Sequence, residues 1–248
     1  MIEDSLKIPC DFQKDFLKNS HNKNELYKYL ARRFFDISTA ESSCDQSFES
    51  SQSSIDQIFV VTHGDSILTE NDIDTDGIFY YTSEEADARV IGHVLNISVN
   101  NDYKKIFVQT SDTDVFILLL AYFPSIRENC TSAIYCKYGL GSNTKHYHIN
   151  ALADEVGYDI CRALPFFYAF SGCDTVSNLF KHTKVAMWDA WRTYPSHENL
   201  TLVFQQLSDE PSEISSSQMD EIEDFVKYVY YGKIGSESLD VLRMNHFR

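Results

Sequence analysis

The segment Lys105–Thr110, followed without a break by Ser-Asp-Thr-Asp (111–114) and the apolar run Val115–Phe123, constrains this fold more than any other feature. Six residues rich in β-branched and aromatic side chains read as a short buried strand. The run behind them could be strand or helix by pattern alone. Ser111 offers an N-cap, so a helix is expected. A strand that turns at once into an apolar helix implies an α/β layer, with the acidic turn at the carboxyl end of the strand.

The flanking segments extend this plan. Residues 83–98 carry Ala86, Val90, Ile91, Val94 and Leu95 on one helical face. Ser132–Tyr138 and Lys145–Ile149 predict a hairpin across Gly139-Leu-Gly-Ser-Asn, and Asn150–Val156 and Asp159–Phe170 predict helices broken at Gly157 and kinked near Pro165. Upstream, Ile58–Thr62 and Ser66–Thr69 read as two strands around His63-Gly-Asp, and residues 11–35 as a helix with Phe12, Phe16, Leu26, Tyr27, Leu30 and Phe34 at near-helical spacing. The Ser-, Glu- and Gln-rich stretch 36–56 reads as solvated linker, and 70–77 as an acidic loop. Downstream, segments near 183–194, 198–207, 217–231 and 236–245 all read as helical. The expected organisation is an N-terminal helical segment (1–40), a linker (41–56), an α/β core (57–195) and a helical C-terminal extension (196–248).

Composition sets limits on function. Hydrophobic residues make up 43% of the 248 and aromatic residues 14%, enough for a globular core. The formal net charge of −16 opposes non-specific nucleic-acid binding, so any such role must rest on local basic patches or bound cations. No stretch approaches the roughly 20 apolar residues of a membrane span. The start of the chain lacks a signal-peptide pattern, and the six cysteines include no Cys-x-x-Cys pair. An intracellular protein, nuclear or cytoplasmic, with reduced thiols is expected.

Three acidic motifs carry the chemistry: Thr82-Ser-Glu-Glu85 with Asp87, Ser111-Asp-Thr-Asp114 and Ser171-Gly-Cys-Asp174. Each has the spacing of a capping box, so each alone is explained by a helix start. The first two, however, hold more carboxylates than a cap needs. Asp112 and Asp114 also follow a strand, where α/β sheets bind ligands. Carboxylates gathered there need a counterion, and Mg²⁺ or Mn²⁺ prefers such oxygen ligands. Other candidates have plainer readings. His146 and His148 share a strand face, His93 lies on a helix, Lys23, Lys28, Arg32 and Arg33 form a solvated stripe, and Phe166, Phe167, Trp188 and Trp191 suit core packing.

Taken in order, Glu-Ala-Asp-Ala (85–88), Thr-Ser-Asp-Thr-Asp (110–114) and Phe-Ser-Gly-Cys-Asp (170–174) resemble the successive acidic motifs of flap-endonuclease, XPG-type nucleases of the PIN-like superfamily. Over roughly 55–245 the chain is similar to uncharacterised animal proteins linked to mobile elements. The resemblance implies a central, mostly parallel sheet flanked by helices. It implies a site in which Glu85 and Asp87 bind a first metal, Mg²⁺ or Mn²⁺, and Asp112, Asp114 and Asp174 complete the set, with Asp112 and Asp114 catalytic. It also implies a nucleic-acid substrate, DNA or RNA. The chain departs from the family at three places. No strand ending in Asp precedes residue 57, His63 stands where another Asp is expected, and Asn178–Lys184 has no glycine with which to grip phosphate. Lys181, His182 and Lys184 would bind substrate there by charge. Two functions follow: metal-dependent phosphodiester hydrolysis, or a catalytically inactive PIN-like module that binds or scaffolds.

Overall fold

A computed structural model describes residues 12–44, 59–63, 66–69, 86–100, 103–129, 132–173, 176–210, 213–235 and 237–246. The chain forms two compact units, Met1–Glu84 and Glu85–Arg248. It is a mixed α/β protein, mostly helical, with one two-stranded and one three-stranded sheet among the described residues.

In the first unit a π-helical segment, Phe12–Leu17, leads into α1 (Ser20–Cys44). α1 packs on strands β1 (Val60–His63) and β2 (Ser66–Thr69), which pair antiparallel with His63 opposite Ser66. Residues 36–44, expected to be linker, are helical backbone; nothing in Asp36–Cys44 is a helix breaker, and Ala, Ser and Glu continue α1 at small cost. The expected loop at 70–77 lies outside the described residues.

The second unit holds the core. α2 (Ala86–Asn100) buries Ile91 and Val94, and α3 (Thr113–Asn129) buries Val115, Leu119, Leu120, Phe123 and Ile126, the 3.6-residue spacing of a helix with one wide apolar face. Between them runs β3 (Lys105–Thr110). It is expected to be buried throughout but alternates, with Ile106 and Val108 inside and Lys105, Phe107 and Gln109 exposed. β3 pairs in parallel with β4 (Ala133–Tyr138), α3 forming the crossover, and β4 pairs antiparallel with β5 (Lys145–His148). The described sheet is therefore mixed and not mostly parallel. The link from Tyr138 to Lys145 is too short for a crossover and can only make a hairpin. Gly139 makes that turn at φ +99°, where a Cβ would meet the Asn143 carbonyl oxygen at 2.8 Å.

After α4 (Ile149–Val156) the chain turns at Gly157, φ +92°, into α5 (Tyr158–Phe170). Then come α6 (Lys184–Thr193), α7 (His197–Asp209), α8 (Ser216–Tyr231) and α9 (Leu239–His246). Fully buried Trp191 sits at their centre, ring to ring with Phe167 (4.8 Å), Phe204 (5.2 Å) and Trp188 (5.4 Å), and its indole N–H donates to Thr201 Oγ1 at 3.2 Å. Of the aromatic residues read as core, Phe167 and Trp191 are buried, and Phe166 and Trp188 are partly buried and pack against them. α7 and α8 add Leu200, Phe204 and Phe225 to the same hydrophobic cluster that contains Ile106 and Leu119.

Candidate metal centre

Three carboxylates meet at the carboxyl end of β3. Asp87, in the first turn of α2, joins Asp112 and Asp114, which open α3; one ligand atom from each lies within 4.8 Å of the others. Asp87 and Asp114 are half-buried and Asp112 is exposed. Local hydrogen bonds shape the turn. The Asp112 N–H donates to Thr110 Oγ1 and the Asp114 N–H to Asp112 Oδ1, both at 3.0 Å. Asp112, not the expected Ser111, thus caps α3. With the helix starting at Thr113, Ser111 is one residue too early to reach the free N–H groups. Capping uses one oxygen of Asp112 and leaves its second oxygen without that bond to the helix.

The first turns of α2 and α3 both face this point, and each helix end contributes about half a positive charge. That falls short of three carboxylates. At such spacing each pair repels by about 1 kcal/mol in water and several-fold more where water is partly excluded. A set of hard oxygen donors so arranged can hold a metal ion.

Lys184 approaches from the other side. The rings of Phe123 and Tyr158 lie 6.0 Å apart, so the far end of α3 meets the start of α5. α5 therefore runs back toward the aspartates, ending at Tyr168–Ser171. There the Lys184 ammonium donates to the Tyr168 carbonyl at 2.9 Å and to Ser171 Oγ at 3.4 Å, and lies 3.6 Å above the Tyr168 ring. Burial pulls its pKa below the usual lysine value, while Cys173 and Asp114 push it back up.

Lys181 and His182 do not share this position. Lys181, at φ +63°, lies over Phe180, and His182 sets its ring edge against Tyr230 of α8 at 4.6 Å. Glu85 and Asp174 lie outside the described residues. Ser171 does not open a helix, as the capping-box reading expects. Its N–H bonds the Phe167 carbonyl and closes α5. Gly172 follows at φ +101°, with the Asn178 backbone so close that a Cβ would meet its Cα at 2.9 Å. A capping box does exist at Ser215–Gln218, where α8 starts; its Ser-x-x-Gln signature is in the sequence but carries no carboxylate.

Comparison with protein-family models, curated proteins and solved structures finds no match to this chain. No helix among the described residues is long and apolar enough to cross a membrane. His93 is half-buried in α2, and His146 and His148 lie exposed on β5, away from any group of three metal-ligating side chains among the described residues. Cys136, Cys161 and Cys173 are free thiols.

Proposed function

We propose that this chain is a PIN-like, flap-endonuclease-type phosphodiesterase that acts on nucleic acid with Mg²⁺ or Mn²⁺. The observation that carries the reading is the meeting of Asp87 with Asp112 and Asp114 within 4.8 Å. Asp87 reaches Asp112 and Asp114 from a different helix, and this meeting supports the reading. The donor set fits the ion: three carboxylates, no thiol and no imidazole, which favours Mg²⁺ or Mn²⁺ over zinc. Glu85 and Asp174 would add to it.

When bound, such an ion supplies Lewis-acid polarisation of the phosphodiester and of an attacking water. The chain's own residues do the rest. The Asp112 carboxylate accepts the Asp114 N–H at the strand end, so it is set before substrate arrives, and Asp114 follows it in the first turn of the helix. Lys184, tied to Tyr168 and Ser171, would offer a hydrogen-bond donor to a phosphate oxygen. Lys181 and His182, upstream on the same segment, pack on Phe180 and Tyr230 and have no part in this reading.

The competing reading is an inactive PIN-like module. It draws on the capping bond of Asp112, which gives that residue a purely structural task, and on the net charge of −16. Cleavage of labelled single- and double-stranded DNA and RNA in Mn²⁺ separates the two. Asp112→Asn keeps an oxygen for the cap but removes a charge, and should lower the rate about 100-fold or more. Equal rates for the two proteins would leave only the binding module.

A further inference from the structure

The three-stranded sheet has two different faces. On one, Ile106, Val108, Ile134 and Cys136 are buried, and α3 lays Phe116 against Tyr138 (6.0 Å) and Tyr147 (5.0 Å). Among the described residues of this unit the opposite face is open. Phe107, Tyr135 and His148 stand side by side across the three strands, since Phe107 is in register with Tyr135 and Tyr135 with His148. Their rings stack at 5.2 Å and 4.8 Å, tilted by only 17° and 20°. Phe107, on the outer strand, is 70% exposed. A second row lies beside the first. Gln109 is in register with Lys137, and Lys137 with His146; the Lys137 ammonium donates to Gln109 Oε1 at 3.3 Å. Lys105 is exposed one strand period before Phe107.

The chemistry of this face is selective. Its positions on the three strands hold lysine, histidine, glutamine and aromatic residues, with Ala133 the one aliphatic side chain and no carboxylate, in a chain with 37 acidic residues against 21 basic. Protein–protein interfaces share the enrichment in aromatic residues but are depleted in lysine, whereas this face sets Lys105 and Lys137 beside its rings. Aromatic rings with cations beside them on an open sheet suit unpaired nucleic acid, whose bases stack on rings while phosphates meet lysines. Duplex bases are stacked on one another and offer no free face.

We propose that this open sheet face binds a single nucleic-acid strand, one base extending the Phe107–Tyr135–His148 stack at Phe107 and the adjoining phosphates meeting Lys105 and Lys137. The inference rests on the reading of the protein as one that acts on nucleic acid, but on residues outside the aspartate centre.

The test is fluorescence anisotropy of the full chain with fluorescein-labelled oligo-dT and oligo-U in EDTA and low salt, so that cleavage plays no part. Wild type should bind, Phe107→Ala should weaken binding about 5- to 100-fold, and Lys137→Glu should weaken it and flatten its salt dependence. Glu198→Gln, at an exposed position on α7 away from both sites, should bind like wild type. Phe107→Trp should bind and show quenching of the new indole when oligonucleotide is added. The proposal is overturned if wild type does not bind, if Phe107→Ala binds equally well, if a duplex competes as strongly as the single strand, or if Glu198→Gln weakens binding as much as Phe107→Ala does. It is also overturned if sedimentation shows that Phe107→Ala turns a dimer into a monomer, which would make the face a contact between copies. Binding that persists without any metal-dependent cleavage would remove the nuclease reading and leave this one standing.

Discussion

Asp112 has two tasks, and they can be separated. Its Oδ1 accepts the Asp114 N–H, and its charge belongs to the aspartate cluster. Asp112→Asn should leave stability within about 0.5 kcal/mol, whereas Asp112→Ala should cost about 0.5–2 kcal/mol through the lost cap. Urea denaturation checks both; equal destabilisation by the two would mean that the carboxylate charge, not the acceptor, holds the helix start. His93 offers a second measurement. Burial, aided by the Arg89 guanidinium, holds its pKa below 6.5. The unfolded chain then takes up a proton as pH falls through 6.5, while the folded chain resists until lower pH. The unfolded state binds more protons in that window, so stability is full above it and declines as pH drops toward the folded value. His93→Gln should remove this slope, read from denaturation midpoints between about pH 7.5 and pH 5. Parallel pH profiles for the two proteins would refute the assignment.

Among the elements, the β4–α4 junction shows how one side chain secures a sheet. Asn150 accepts the Ile134 N–H at 2.8 Å and donates to the Ser132 carbonyl at 3.1 Å, tying the start of α4 to the start of β4. Asn150→Ala should cost about 1–3 kcal/mol for each backbone group left without its partner. Chemical unfolding reads this, and a loss under 0.5 kcal/mol, within the range of an ordinary surface substitution, would count against it. Sequence reading located the elements of the second unit well, because hydrophobic period and glycine breaks are local. It placed β3, α3, the β4–β5 hairpin, the break at Gly157 and the four later helices close to where they stand. It misjudged Ser171. A hydroxyl three residues before a carboxylate looks the same at either end of a helix, and only the Phe167 carbonyl above it shows that α5 is ending.

For the whole molecule, the continuous hydrophobic cluster lies within Glu85–Arg248, from Val90 to Val229. In the first unit, Tyr27, Leu30, Phe34 and Ile37 of α1 are exposed. Since cooperative stability follows buried apolar surface, residues 85–248 expressed alone should unfold in a single cooperative transition, with a Tm within about 5 °C of the full chain. A broad, non-cooperative melt by circular dichroism would show that the first unit is needed for folding. The surface charge belongs to this scale too. A net charge of −16 opposes long-range attraction to nucleic acid, so the proposed binding would depend on places where lysines stand without carboxylates, such as the sheet face of Phe107 and Lys137.

The chain's own order of residues determined its secondary structure, its α/β class and the candidacy of its acidic motifs, because these depend on neighbours within a few positions. The tertiary structure decided what those motifs amount to. It brought Asp87 to Asp112 and Asp114, drew Lys184 back onto Tyr168 and Ser171 beside them, and sent Lys181 and His182 toward Phe180 and α8. It also left Phe107, Tyr135 and His148 stacked on a face open among the described residues, though β3 by itself reads as a short buried strand. Convergence and exposure depend on strand register and helix direction, which long-range packing sets and which no local pattern of residues contains.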